Sequence, residues 1–195
     1  MEQNMKRVIL GALLALPLSA MASEDLSYSY LGLGATYADP NGFSGENGYG
    51  AEASGAFHDN WHVFGSFQTY EFGDGVGAVD VDQWNIGLGY NVGLTDNMDL
   101  VAGVSYERAE VDYNDGIFTG STGEDGYGVR VGVRNAFNAH FEGAAGLKYT
   151  NFDGSNSTSV YVSGQYKFND TWGITGEVEA NDDGHTIFLG PRLSF

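Results

Sequence analysis

The chain has 195 residues, no cysteine, and a formal net charge of −18 from 26 acidic against 8 basic residues. No disulfide framework can staple it, and its few basic residues form no patch for nucleic acid, which excludes that partner. It carries 30 glycines, 12 tyrosines, 12 phenylalanines and three prolines, and after residue 22 no stretch approaches a transmembrane helix.

The N-terminus has the form of an export signal. Lys6 and Arg7 precede an apolar run, Val8 to Leu18, which ends in Ser19-Ala20-Met21-Ala22. A basic start, a short apolar core and a small-x-small end make a secretory signal peptide, with Ala20 and Ala22 setting the cleavage site. The apolar run is too short to span a bilayer as a helix, which needs roughly 20 residues, and Pro17 argues against a buried N-terminal helix. Met5 serves equally well as a start. Cleavage after Ala22 divides the chain into a signal, 1–22, and a single domain, 23–195. The mature charge becomes −19, because Glu2, Lys6 and Arg7 leave with the signal.

From there the hydropathy period is two. Alternation predicts strands over 26–37, 49–58, 61–72, 80–91, 98–110, 125–135, 140–151, 158–168, 172–180 and 185–195. In VDQWNIGLGYNV, Asp82, Trp84, Ile86, Leu88, Tyr90 and Val92 share one face, and Gln83, Asn85, Gly87, Gly89 and Asn91 the other. In GYGVRVGVRN, Tyr127, Val129, Val131 and Val133 oppose Gly126, Gly128, Arg130, Gly132 and Arg134. Such segments run about ten residues, the length of a tilted strand crossing an outer membrane; sandwich strands run about 5 or 6. Short connections are expected at His58–Asn60, Asn91–Asn97, Asn135–Ala139 and Asn169–Thr171. Longer Gly/Asp-rich loops are expected at Ala38–Gly48, Gly73–Val79, Val111–Glu124, Phe152–Ser157 and Asn181–Gly184. Short turns alternating with long loops mark outer-membrane barrels, with turns in the periplasm and loops outside.

The fold class is therefore all-β: a transmembrane antiparallel up-and-down β-barrel of ten strands, eight being the alternative count. A secreted sandwich would also use alternating strands, but it leaves unexplained the small residues on the polar faces and the export signal. A barrel closes its own edges and turns small and polar residues inward. Aromatic residues near segment ends, such as Trp61, Trp84, Tyr106, Tyr127 and Trp172, suit interfacial girdles. The last segment, HTIFLGPRLSF, places Leu189, Leu193 and Phe195 on the lipid face. Its terminal phenylalanine resembles the insertion signal of bacterial outer-membrane proteins, which implies the barrel-assembly machinery as a partner, along with outer-membrane lipid.

Several stretches taken together resemble a family. HVFGSFQ (His62–Gln68), VDVDQWNIGLGYN (Val79–Asn91), DLVAGVSYERAE (Asp99–Glu110), GYGVRVGVR (Gly126–Arg134) and the terminal GPRLSF are similar to small outer-membrane barrels of plant-associated and opportunistic bacteria, described as quorum-sensing-linked or immunity-activating. The resemblance spans the chain from about Tyr28 to Phe195. It implies an outer-membrane location and an association with virulence, biofilm or stress, and it supplies no catalytic residues.

No cofactor or metal site is expected. His58, His62 and His140 fall at turns on different hairpins. His185 lies on the external rim beside Asp182 and Asp183, where an omptin-type hydrolase would carry its acidic and histidine residues, but a solvated turn is the simpler account. The loops carry Asp39, Glu46, Asp74, Asp112, Asp115, Glu124, Asp125, Asp153, Asp182 and Asp183. These form either a solvated rim or weak divalent-cation sites bridging to lipopolysaccharide phosphates.

The polar faces hold a charge network: Asp99, Glu107, Arg130, Arg134, Glu142, Lys148, Lys167, Glu177, Glu179 and Arg192. Counting from the turns sets Glu142 roughly opposite Lys167, with Arg134 nearby. Opposite charges in a confined lumen are expected to pair, because an unpaired one is costly there. Three functional classes follow: a non-enzymatic barrel acting through its external loops or envelope integrity, a narrow diffusion channel, and the rim enzyme.

Overall fold

The computed structural model describes residues 26–42, 44–73, 77, 79–114 and 119–195. The export signal, with Ala20 and Ala22, lies outside them, as do Asp74 and Asp115. Ten antiparallel strands run in chain order: β1 (Tyr30–Pro40), β2 (Glu46–His58), β3 (Trp61–Phe72), β4 (Val79–Thr95), β5 (Met98–Asn114), β6 (Thr119–Asn138), β7 (Phe141–Phe152), β8 (Ser155–Lys167), β9 (Trp172–Asn181) and β10 (Gly184–Ser194). Each pairs with its neighbours in sequence, and β1 pairs with β10, so the sheet closes into a barrel. The ten-strand count holds. The sandwich and the eight-strand alternative do not.

Closure follows from the alternation. Along β1 and β10 the register sets Leu31 against Leu193 and Ala35 against Leu189 on the outer face, with Gly32 against Arg192 inside. The apolar rows point away from the lumen: Leu33, Ile86, Val104, Leu147, Val160 and Leu189 are each at least half exposed. A continuous apolar belt of this kind is not tolerated by a water-soluble protein. Leu189, Leu193 and Phe195 all belong to it. Aromatic pairs mark its two edges. Trp61 meets Tyr90 edge-on and His140 stacks on Tyr166 near the end that carries the C-terminus, while Trp84 meets Tyr106 and Tyr127 meets Tyr149 near the other.

The connections differ from expectation. The hairpins at Asp153–Gly154 and Asp182–Asp183 are two-residue turns rather than long loops. Asp-Gly supplies the positive φ such a turn needs: Gly154 sits at φ 94°. Strands β5 and β6 continue well past the expected ends, to Asn114 and from Thr119, so most of the Val111–Glu124 loop is a projecting hairpin. The long-versus-short asymmetry therefore holds only in part. At the opposite end Asn138 accepts backbone N–H bonds from His140 and Phe141, and Asn169 from Thr171 and Trp172, all within 2.8–2.9 Å. These side chains mimic the next backbone carbonyl and hold the turns tight.

Residues 26–29, expected as the start of the first strand, are not strand. They turn into the barrel mouth, and Leu26, Tyr28 and Ala136 form a small buried cluster there.

The inward glycines serve as seats for inward aromatic rings. Phe64 of β3 lies over Gly87 and Gly103, and the Tyr161 hydroxyl lies over Gly132 and Gly146, which face each other across β6 and β7. A side chain at those positions would displace the rings.

Candidate functional site in the barrel lumen

The lumen is built from the polar rows, and the structure sorts its charges into layers. At the end holding the C-terminus, Tyr28 fills the opening. Its hydroxyl donates to Asp99 at 2.8 Å, its ring stacks on His62 at 4.8 Å between centroids, and the Arg134 guanidinium lies 4.8 Å from its ring centre. Ser54 Oγ donates to the Tyr28 carbonyl at 2.7 Å, and Arg134 Nη1 to the Ser27 carbonyl at 2.9 Å. Asp99 lies directly opposite Arg134 in the β5–β6 register and is fully buried.

Beside this wedge Arg134 pairs with Glu142, and Lys167 Nζ reaches the other carboxylate oxygen of Glu142 at 3.0 Å. The Glu142 side chain is 4% exposed. Two cations on one buried carboxylate offset the cost of withdrawing it from water, and the Asn91–His62 contact at 3.3 Å extends the polar layer.

The middle of the lumen departs from simple pairing. Arg130 lies over the Tyr161 ring at 4.5 Å and Arg192 over the Tyr30 ring at 3.5 Å, so both use aromatic faces. Among the described residues neither they nor Glu177 has an ion-pair partner within 4.0 Å, which corrects the expectation that every lumen charge would pair. Two arginines, Glu52 and Glu177 instead share a layer around a cavity of about 190 Å³. Higher up, Lys148 lies 3.8 Å from Glu107 and 3.9 Å from Glu179, loosely bridging β5, β7 and β9. A second cavity of about 330 Å³ and an external mouth of about 700 Å³ follow, and consecutive cavities share lining residues.

Three residues of this arrangement escaped the sequence reading. His62 was expected at a turn, yet it is buried in the lumen on the row of Phe64, Ser66 and Gln68; the alternation of HVFGSFQ carried that signal. Glu52 shares the inward row of Ser54 opposite Ser66, but its small neighbours hide the period. Tyr28 carries no local signal, since it acts from outside the sheet.

The family follows from most of the chain's length. A family profile described as "Outer membrane protein beta-barrel domain" matches residues 8–168. The chain belongs to that family. The match ends within the β8–β9 turn, so β9 and β10 lie beyond it. Among solved structures, the KdgM porin in complex with disordered oligogalacturonate is similar at 13% identity and TM-score 0.50, over 84% of this chain and 99% of that one. Ail, the attachment invasion locus protein of Yersinia pestis, is similar at 14% identity and TM-score 0.48, over 85% of this chain and 95% of Ail. OprG from Pseudomonas aeruginosa is similar at 14% identity and TM-score 0.48, over 90% and 97%. No curated protein sequence matches. At these identities only the barrel fold is shared.

In an outer-membrane barrel the outward charges mark where lipid ends. Arg108, on the same row as Val104 and Tyr106, binds Glu110 at 2.6 Å and Asp125 at 2.8 Å. Arg108 lies opposite Trp84 and Asp125 opposite Arg108 in the strand register, so this cluster sits at the level of that girdle and β5 and β6 project beyond the bilayer from there. Hydrogen bonds from the Tyr106 hydroxyl and from Arg108 hold the Asp125 carboxyl below the usual carboxylate range. Asp125 is thus compensated, contrary to the expectation for the loop carboxylates. His185 approaches Asp39, at 4.0 Å, and Tyr37, rather than forming a site with Asp182 and Asp183. Among the described residues, no three histidine or carboxylate groups converge as a metal site would require.

Proposed function

We propose that this is a non-enzymatic outer-membrane barrel whose lumen is closed at the periplasmic end, acting through its acidic external face or by supporting the envelope. The observation that carries the reading is the wedge of Tyr28 over Asp99, Arg134 and Glu142, which occupies the periplasmic opening with directly bonded groups. Ion passage would have to break several of these bonds at once in a layer of low water content. The resemblance to quorum-sensing-linked and immunity-activating barrels extends the reading to virulence, biofilm or signalling, with lipopolysaccharide, through divalent cations, as the external partner. Assembly through the barrel-assembly machinery is part of the same proposal and rests on the terminal Leu189, Leu193 and Phe195.

The test is single-channel conductance of refolded protein in planar bilayers. The closed reading expects little conductance from the unmodified protein and a small leak after Tyr28→Ala. A large, steady conductance before any substitution would overturn it and favour the second reading, a narrow diffusion channel. That second reading draws support from the three cavities in series, whose neighbours share lining residues.

A further inference from the structure

Towards the outside, the inward rows of β3 and β4 change character. On β3, Ser66 and Gln68 give way to Tyr70 and Phe72; on β4, Asn85 and Gln83 give way to Val81 and Val79. The strands are in register, so Tyr70 lies opposite Val81 and Phe72 opposite Val79. Ala38 of β1 adds to the same apolar wall, which lines the external mouth of about 700 Å³. The interior of an outer-membrane barrel is ordinarily polar. Among the described residues, nothing apolar packs over this wall from across the mouth. The volume lies within the range of about 300–1,000 Å³ typical of small-molecule sites.

The mouth also carries carboxylates. Glu46 of β2 lies beside the apolar rows, opposite Ala38 in the β1–β2 register, while Glu179 of β9 and Asp183 of the β9–β10 turn lie on the other side. Among the described lining residues there is no lysine or arginine, and His185 faces Asp39 at 4.0 Å, leaving the other carboxylates in excess. Lys148 approaches Glu179 only from below, at 3.9 Å, and Arg108 is held on the outer face by Glu110 and Asp125. A cleft lined by one sign of charge concentrates ligands of the other.

We propose that the external mouth binds a small amphipathic cation, its apolar body lying on the Tyr70, Phe72, Val79 and Val81 wall and its ammonium group facing Glu46, Glu179 and Asp183. A carboxylate-headed molecule of the same length would bring its charge against three others. An uncharged one would gain the wall and nothing from the carboxylates. The site depends on the barrel and its register, and not on whether the lumen conducts.

Octylamine serves as the probe, with octanoate and octanol as matched controls, against the barrel in phosphatidylcholine nanodiscs carrying labelled valine and leucine methyl groups. Octylamine is expected to shift the Val79 and Val81 methyl signals saturably, with octanoate at least tenfold weaker and octanol several-fold weaker. The double variant Glu46→Gln, Asp183→Asn is expected to weaken octylamine at least fivefold, and Val81→Asn to weaken it similarly at Val79. Slower migration of each variant after boiling than before it verifies folding; should Val81→Asn fail that check, the acidic variant still decides. Octanoate or octanol binding as tightly as octylamine would overturn the proposal. So would an acidic variant that binds unchanged, or shifts confined to the lipid-facing methyl groups of Leu88 and Val131.

Discussion

At the scale of single residues, Glu142 does the most to organise the periplasmic layer. It is nearly inaccessible and bound by Arg134 and Lys167. Removing one member of a buried ion pair leaves the others charged and uncompensated, at a cost of about 3–5 kcal/mol. Glu142→Ala is therefore expected to lower the unfolding free energy from urea titration in detergent micelles by that amount, and the urea midpoint with it. Asp182→Ala, on an exposed turn, is expected to leave the midpoint unchanged. Equal midpoints for both variants would remove Glu142 from this role. Tyr28 poses a different case, because its hydroxyl and ring act separately. Tyr28→Phe keeps the stack on His62 but withdraws the donor to Asp99, a loss of about 1–3 kcal/mol for a buried acceptor, and should leave the mouth closed. Tyr28→Ala should open it.

At the scale of strands, the two faces can be told apart by the same substitution. Arginine for Leu88 or Val131 sets a charge in lipid and should cost about 2–4 kcal/mol near the bilayer midplane. Arginine for Gln83, on the inward row, should cost far less. Indistinguishable unfolding midpoints for Leu88→Arg and Gln83→Arg would refute the face assignment. Gly132→Val tests the other device, since its side chain would meet the Tyr161 hydroxyl and the Ala145 carbonyl, and the backbone cannot move aside. It should prevent refolding, whereas Gly55→Val, which meets nothing within 4 Å, should be accepted. These contrasts also show what the sequence could convey. Period two is a local property, so the strands, their faces, and the neighbourhood of Arg134, Glu142 and Lys167 could be read directly. Turn length depends on how far a hairpin continues beyond lipid, where alternation fades, and the extension of β5 and β6 was missed for that reason. Arg130 and Arg192 were expected on carboxylates, but the rings that receive them, Tyr161 and Tyr30, come from strands that are distant in sequence. Nothing local foretells that Tyr28 leaves the sheet.

At the scale of the whole molecule, everything depends on the seam between β1 and β10. Nine residue pairs close it, and a barrel so closed should resist detergent and run faster on an unheated gel than after boiling. The seam tolerates no slip, because shifting a strand by one residue exchanges its two faces. Deleting Gly190 would carry Arg192 away from the Tyr30 ring into lipid and turn Leu193 towards the lumen. That variant should lose the heat-dependent shift in migration altogether. Deleting Phe195 keeps the register and removes a 75% exposed side chain, the bond from its backbone N–H to the Ser29 carbonyl, 3.0 Å, and the bond its carbonyl accepts from Ser27 Oγ, 3.3 Å. It should refold in detergent with a normal shift yet accumulate poorly in the outer membrane of living cells, as the proposed role of the terminal residue in assembly requires. If the two deletions behaved alike in detergent, Phe195 would be part of the closure itself; if Phe195-deleted protein assembled normally in cells, the terminal signal would be redundant with Leu189 and Leu193.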